Sequence, residues 1–189
     1  MLTTLQLFAT DLREKAKWCY DRDDLGALVK VALTDGTSAM LLYRLMQGAR
    51  RRGLAPLEMV FNKMNSAFNH CVIGRGAEFG PGFVLIHSDG VVINGEVRGG
   101  ERVFIEHQVT IGAERRQSPH LGNDVFIGAG AKVIGSVEIG DGARVGANAV
   151  VVHDVDSHTT VVGIPARPVG ERRQPEAIRA VPSPSGKQL

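Results

Sequence analysis

From Leu121 the chain divides into sixes, LGNDVF, IGAGAK, VIGSVE, IGDGAR, VGANAV and VVHDVD, which keep Leu121, Ile127, Val133, Ile139, Val145 and Val151 in register. The fifth place of each unit is small or aliphatic as well: Val125, Ala131, Val137, Ala143, Ala149 and Val155. Upstream, Ile73, Phe79 and Leu85 keep the same step. An eight-residue unit, LIHSDGVV, then shifts the frame, and Ile93, Gly99, Ile105 and Ile111 resume it. Glu114 to His120 forms a polar excursion between the two blocks. A β-sandwich would alternate every two residues. A period of six with an aliphatic first place instead predicts a parallel β-helix, with each unit one side of a triangular coil and three units to a coil. Coils stack about 4.8 Å apart, aliphatics pile into interior columns, and Gly, Asn or Asp takes the corners where φ is positive. Left-handed connections of this kind break the usual right-handed rule, so a repeated corner sequence has to impose them. The expected fold is therefore mainly β, a left-handed parallel β-helix of hexapeptide repeats with about four coils.

An α-helical subdomain precedes it. Leu5, Phe8, Leu12, Ala16 and Cys19 recur at helical spacing and predict an amphipathic helix with that apolar face inward, and Asp11, Arg13, Glu14 and Lys15 fall among the other positions. Further helices are expected over Asp24 to Leu33, over Thr37 to Arg52 with Asp35-Gly36 as its start signal, and from Pro56 to about Phe68. Of the 23 glycines, 17 fall between Gly74 and Gly163, which places the boundary near residue 69. The division is thus residues 1–68 helical, 69–166 β-helix and 167–189 a C-terminal tail rich in Pro, Ser and basic residues, its last dozen residues expected to be mobile. A chain that is 43% hydrophobic but 5% aromatic must fill its core with aliphatic side chains. A net charge of +2 is too slight for a dedicated nucleic-acid binder. No apolar run approaches the length of a membrane span, and Cys19 and Cys71 lie in unrelated segments without zinc or disulfide spacing, so a cytoplasmic protein is expected.

The candidate chemistry follows from counting units. His87 is third in the unit that starts at Leu85, and His107 is third in the unit starting at Ile105, three units later. They are expected on one column, about 5 Å apart on adjacent coils, with Ala129 above them. A neutral imidazole suits a general base. Ser118 and His120 sit in the excursion loop, while His70, His153 and His158 read as structural or solvated. Cys71, isolated in an aliphatic repeat, reads as core.

The segments GPGFVLIHSDGVVIN, VFIGAGAKVIGSVEIGDGARVGANAVV and TTVVGIPARPVG, with a weaker match at MLLYRL, resemble the serine O-acetyltransferases among the hexapeptide-repeat acyltransferases. The resemblance runs from Phe61 to Gly170. It implies a homotrimer, acetyl-CoA as co-substrate in the groove between neighbouring subunits, a small-molecule acceptor alcohol, and no metal. It implies His87 as catalytic base; His107, stacked on it by the unit count, and Asp89, two residues on, are the further catalytic candidates. It also implies coenzyme contacts at Gly128, Ala129, Arg144 and Ala147, with Arg167 at the adenine-phosphate end and Ser118 and His120 as a substrate loop. The chain departs from the family at two aspartate positions, which are Ile86 and Val72 here, and at the second active-site histidine, where Ser118 stands. Asp89 is one candidate for the missing carboxylate; the other reading makes it a turn residue before Gly90. The acceptor is serine or a serine-like alcohol, with a sugar or natural-product alcohol as the alternative. A zinc site of the carbonic-anhydrase type, built from His87, His107 and a neighbour's His120, and an inactive trimeric scaffold are the remaining readings. The helical region is shorter than is usual in the family, so an assembly beyond the trimer is left open. The family's cysteine-synthase partner engages a tail that usually ends in isoleucine; Leu189 argues against it here.

Overall fold

The structure is a computed structural model that describes residues 2–115 and 117–170. The expected mobile tail and Leu189 lie outside the described residues. Four helices come first: α1 (Thr4–Tyr20), α2 (Leu25–Ala32), α3 (Thr37–Arg51) and α4 (Ala55–Asn69). Thr3 and Gln6 close a reciprocal cap on α1, and the Asp24 carboxylate caps α2 through Ala27 N at 2.9 Å. No single helix among the described residues is long and apolar enough to cross a membrane.

The β-helix has five coils rather than the expected four. Strands β1 (Val72–Ile73), β2 (Glu78–Phe79) and β3 (Val84–Leu85) make the first coil, and β4 (Val92–Ile93), β5 (Arg98–Gly99) and β6 (Phe104–Ile105) the second. The third comprises β7 (Thr110–Gly112), β8 (His120–Leu121) and β9 (Phe126–Ile127), and the fourth β10 (Lys132–Ile134), β11 (Glu138–Ile139) and β12 (Arg144–Val145). A fifth, formed by β13 (Val150–Val151), a bridge at Val155 and β14 (Thr160–Val162), is closed by β15 (Arg167–Pro168) running antiparallel to β14. Every third strand pairs in parallel, so the coil has three faces: β1-β4-β7-β10-β13, β2-β5-β8-β11 and β3-β6-β9-β12-β14.

The fifth coil escapes the hexad count because one of its units is short. Val155 pairs with Ile139 and so occupies the first place of a unit, not the fifth. It follows Val151 by four residues instead of six, and the hexad frame runs straight through that shortening. Arg167 and Pro168, grouped by composition with the tail, belong to the closing strand for the same reason: a two-residue strand is too short to read. Inside, Ile73, Ile93, Ile111, Val133 and Val151 form one buried column, and Leu85, Ile105, Ile127, Val145 and Val161 another. The odd member on the second face is Gly99, where a Cβ would run into the ring of Phe79 one coil below. Positive φ at the corners is not reserved for Gly, Asn and Asp: Arg102, Gln108 and His158 adopt it too.

A solenoid exposes its first coil as an unpaired edge, and the helices satisfy that edge group by group. Arg44 donates to Phe79 O at 2.9 Å and Gly80 O at 2.6 Å, and Tyr43 Oη donates to Ala77 O and accepts from Phe79 N, both at 3.1 Å. Asp11 accepts from Gly82 N and Phe83 N at 2.9 Å each, and Asn62 donates to Ile73 O at 2.7 Å. Arg44 and Asp11 hold each other in a two-pronged pair at 2.6 and 2.9 Å, both side chains fully buried. The inward face of α1 therefore differs from the one expected. Leu7, Asp11, Lys15 and Ala16 are buried, whereas Leu5 and Cys19 are exposed, because partners on α3 and the first coil make the polar residues the ones to bury. Further along α1, Trp18 stacks on Phe104 and Phe126 of the third face, with ring centroids 4.7 and 5.2 Å away.

Arg44→Met leaves the Asp11 carboxylate buried without its cation and is expected to cost about 3–5 kcal/mol of unfolding free energy. Urea denaturation reads it, and a loss under about 1 kcal/mol would mean that the edge is held by other contacts.

Candidate active site

The eight-residue unit turns the corner from the third face to the first with two residues more than the corners above it. Counted from the preceding strand, His87 lies beneath His107; counted from the following one, Asp89 does, since Gln108 N donates to Asp89 O at 2.8 Å. The extra residues bulge the corner outward. The His87 and His107 rings meet nearly edge to face at 5.9 Å, close to the expected spacing, and both side chains are about half exposed. Above them on the same edge stand Ala129 and Ala147. The backbone N–H groups of His107, Ala129 and Ala147 donate to no acceptor among the described residues, so the edge carries a row of outward donors one coil apart. Gly128 keeps that edge thin, because a Cβ there would sit 2.8 Å from Ala147 N and 2.9 Å from Val145 O.

The carboxylate on His87 is not that of Asp89. Asp89 faces His70 Nδ1 at 3.0 Å, drawn there because the bulged corner packs against the C-terminal end of α4, where Gly90 N donates to His70 O at 3.1 Å. The partner of His87 is Asp35, in the turn between α2 and α3, whose Oδ2 lies 3.2 Å from His87 Nδ1 and 3.2 Å from Ser88 N. Its Oδ1 accepts from Gly36 N at 2.7 Å and Ser88 Oγ at 3.1 Å. Partial burial works to raise the Asp35 carboxyl, but the hydrogen bonds from Ser88, Gly36 and His87 outweigh it and hold the group below the usual carboxylate range. Behind the turn, Lys15 Nζ donates to Asp35 O and to Thr37 Oγ1, the latter at 3.1 Å. Burial pushes the Lys15 ammonium down to about 8, with Asp35 and Glu106 pulling the other way.

In the sequence, Asp35 carries only the signal of a helix start. The local pattern holds no hint of its contact with a residue 52 positions away.

The other expected residues are distributed along and away from this edge. His107 Nδ1 is 3.6 Å from Glu106 Oε2. Arg144 lies on the outer third face with its guanidinium 4.5 Å over the Phe126 ring, and Arg167 is in β15 at the far end. Ser118 and His120 are not brought to His87 within one chain. Ser118 Oγ donates to Asn94 Oδ1 at 3.0 Å on the far side of the first face, and His120 points out from the second face with Nδ1 3.5 Å from Glu138 Oε1. Cys71 is buried, and burial pushes its thiol up to about 12, which leaves no thiolate for a thioester relay. Among the described residues no group of three or more His, Cys, Asp and Glu side chains is placed to hold a metal ion.

A hexapeptide β-helix with an oriented histidine at the foot of a row of backbone donors has the build of a hexapeptide-repeat transferase. Residues 118–153 match the family model described as bacterial transferase hexapeptide (six repeats). The chain is 36% identical over 145 residues to the serine acetyltransferase of Helicobacter pylori, covering 75% of this chain and 85% of that one. Among solved structures it is similar to a serine acetyltransferase in complex with CoA, at TM-score 0.77 and 27% identity over 86% of this chain and 68% of that chain. It is also similar to the Neisseria gonorrhoeae serine acetyltransferase in complex with serine, at TM-score 0.76 and 29% identity over 86% of this chain and 64% of that chain. The chain belongs to the serine acetyltransferase family.

Gly36 has φ +77°, and a Cβ there would run into Leu85 O, so the turn that carries Asp35 tolerates no side chain at this position. Gly36→Ala is expected to cost about 1–3 kcal/mol. A thermal melt checks it, and an unchanged melting temperature would show that the turn can shift without loss.

Proposed function

We propose that this protein is an acetyl-CoA-dependent O-acetyltransferase that acetylates the hydroxyl of serine, with His87 as general base. The observation that carries the reading is the placement of His87: its Nδ1 is engaged by a carboxylate, which leaves Nε2 as the basic nitrogen, and it stands on the edge where backbone donors are unspent. The relatives' complexes with CoA and with serine support the two substrates. His87 Nε2 takes the hydroxyl proton as the acceptor oxygen forms its bond to the thioester carbonyl carbon. An outward backbone N–H of the edge stabilises the oxyanion that develops. Collapse breaks the carbon–sulfur bond, and the imidazolium returns its proton to the departing CoA thiolate. No acyl-enzyme forms. Gly128, Ala129 and Ala147 line the run of the coenzyme by backbone contact, with Arg144 beside it and Arg167 toward its phosphate end.

The assembly that completes the site is a homotrimer. On the third face Trp18 lies over Phe104 and Phe126, and the second is lined outside by Glu78, Arg98, His120 and Glu138, whereas the lower part of the first shows Val72 and Val92 at 42% and 43% exposure. Packing that apolar face on a neighbouring copy places the His87 edge in a seam, where the neighbour's excursion loop would bring Ser118 and His120. A second reading keeps the chemistry and changes the acceptor to an uncharged alcohol. It is favoured by Ile86 and Val72 standing where the family has aspartates.

Purified protein is expected to release free thiol from acetyl-CoA with L-serine, and His87→Ala to lower kcat by roughly 10²–10⁴-fold. Turnover with homoserine or a sugar but not with serine selects the second reading, and silence with every acceptor counts against both. Sedimentation is expected to report three copies of the 20.3-kDa chain, and Val92→Glu to release monomer; a monomeric wild type would overturn the assembly.

A further inference from the structure

We infer that Asp35, carried by the turn between α2 and α3 and not by the β-helix, is the residue that positions His87 as a base, and that Lys15 fixes Asp35 from behind. The inference rests on the reading of His87 as the base and deepens it. Its ground is the number and direction of the bonds at one carboxylate. Oδ2 faces His87 Nδ1 and Ser88 N, and Oδ1 accepts from Gly36 N and Ser88 Oγ, so both oxygens are held and the plane of the group is set. A carboxylate accepts and does not donate, so His87 must carry its proton on Nδ1, and the lone pair is left on Nε2.

Among the described residues no other acid competes for this place. Asp89 is spent on His70, and Glu106 lies beside His107. The positions where the family carries aspartates hold Ile86, which is buried, and Val72, which faces outward. The orienting carboxylate has therefore moved to another element. The bulged corner reaches it: the two additional residues put Ser88, 1% exposed, in position to donate both its N–H and its hydroxyl to Asp35.

Lys15 makes the turn rigid from the opposite side. It is 1% exposed and donates to Asp35 O and Thr37 Oγ1, the residues that bracket Gly36. An ammonium buried at this depth is costly unless its hydrogen bonds are made, and here they go to the backbone and the hydroxyl that define the turn.

The test uses the full chain with Asp35→Asn, Asp35→Glu, Lys15→Met and His87→Ala, assayed for kcat and KM with acetyl-CoA and the best acceptor. It is paired with long-range ¹⁵N NMR of labelled histidine to read the His87 tautomer. In the wild type the Nδ1–H tautomer is expected to dominate. Asp35→Asn is expected to lower kcat by about 10²-fold or more while KM for acetyl-CoA stays within about threefold, with part of the His87 population moving to the Nε2–H tautomer. Asp35→Glu is expected to recover part of the rate, and Lys15→Met to lower kcat less than Asp35→Asn does. A wild type with His87 mainly in the Nε2–H form overturns the inference, and this measurement needs no variant to fold. So does an Asp35→Asn enzyme whose kcat is within twofold of wild type while His87→Ala is inactive; there the base reading survives and the positioning role fails. Turnover retained by His87→Ala removes the base itself, and the inference with it.

Discussion

Everything in this protein depends on closing the open end of a β-helix. A parallel solenoid satisfies its own backbone from coil to coil, but the first coil has no coil beneath it, and its N–H and C=O groups would be left as an unpaired edge. Here the edge is met by side chains from α1, α3 and α4, and the centre of the arrangement is the Asp11–Arg44 pair. Neither residue is chosen for its charge alone. Arg44 supplies planar donors to Phe79 O, Gly80 O and Gln47 as well as to Asp11, and Asp11 uses the same oxygen for two backbone N–H groups. Burial pushes the Asp11 carboxyl upward, and Arg44 with the two N–H groups opposes that push. A buried pair of this kind adds little over a hydrophobic substitute but is costly to break from one side. Its value lies in direction: it sets how the helices sit on the coil.

That docking has a chemical consequence at the next corner. The helices that cover the edge also bring the α2–α3 turn against the bulge made by the eight-residue unit, so the carboxylate that faces His87 arrives from outside the solenoid. The β-helix contributes what repetition is good at, a straight edge of evenly spaced backbone donors with small residues keeping it accessible. The helical subdomain contributes what repetition cannot supply, a single carboxylate at a single corner. The three outer faces divide the remaining work. One carries Trp18 over Phe104 and Phe126, one is charged, and one exposes Val72 and Val92 in its lower coils.

Several residues could not be placed from sequence, each for a reason of its own. The inward face of α1 departs from its apolar period because periodicity ranks residues by hydrophobicity, whereas Asp11 and Lys15 are buried by having partners on other elements. Val155 fell out of register because a frame carried through a shortened unit has no local warning. Asp89 was the nearest acid in sequence to His87, yet the bulge that separates them by two residues also turns it toward His70. The neighbour in space was Asp35, and its aspartate-glycine context is equally that of a helix start. Ser118 and His120 read as one loop from sequence, but His120 opens β8 and Ser118 lies on the far side of the first face, so within one chain neither comes to His87.

The hexad period by itself determined the architecture, the interior columns and the stacking of His87 on His107, because these follow from local repetition and a fixed coil spacing. The eight-residue unit also told, without coordinates, that something special happens at that corner. What only the tertiary structure decided is which carboxylate faces His87, which face of α1 is buried and how the open edge is closed. Those contacts join residues tens of positions apart through hydrogen bonds whose geometry leaves no periodic trace in the chain. A repeat can be read from its neighbours in sequence, whereas a cap and a partner can be read only from their neighbours in space.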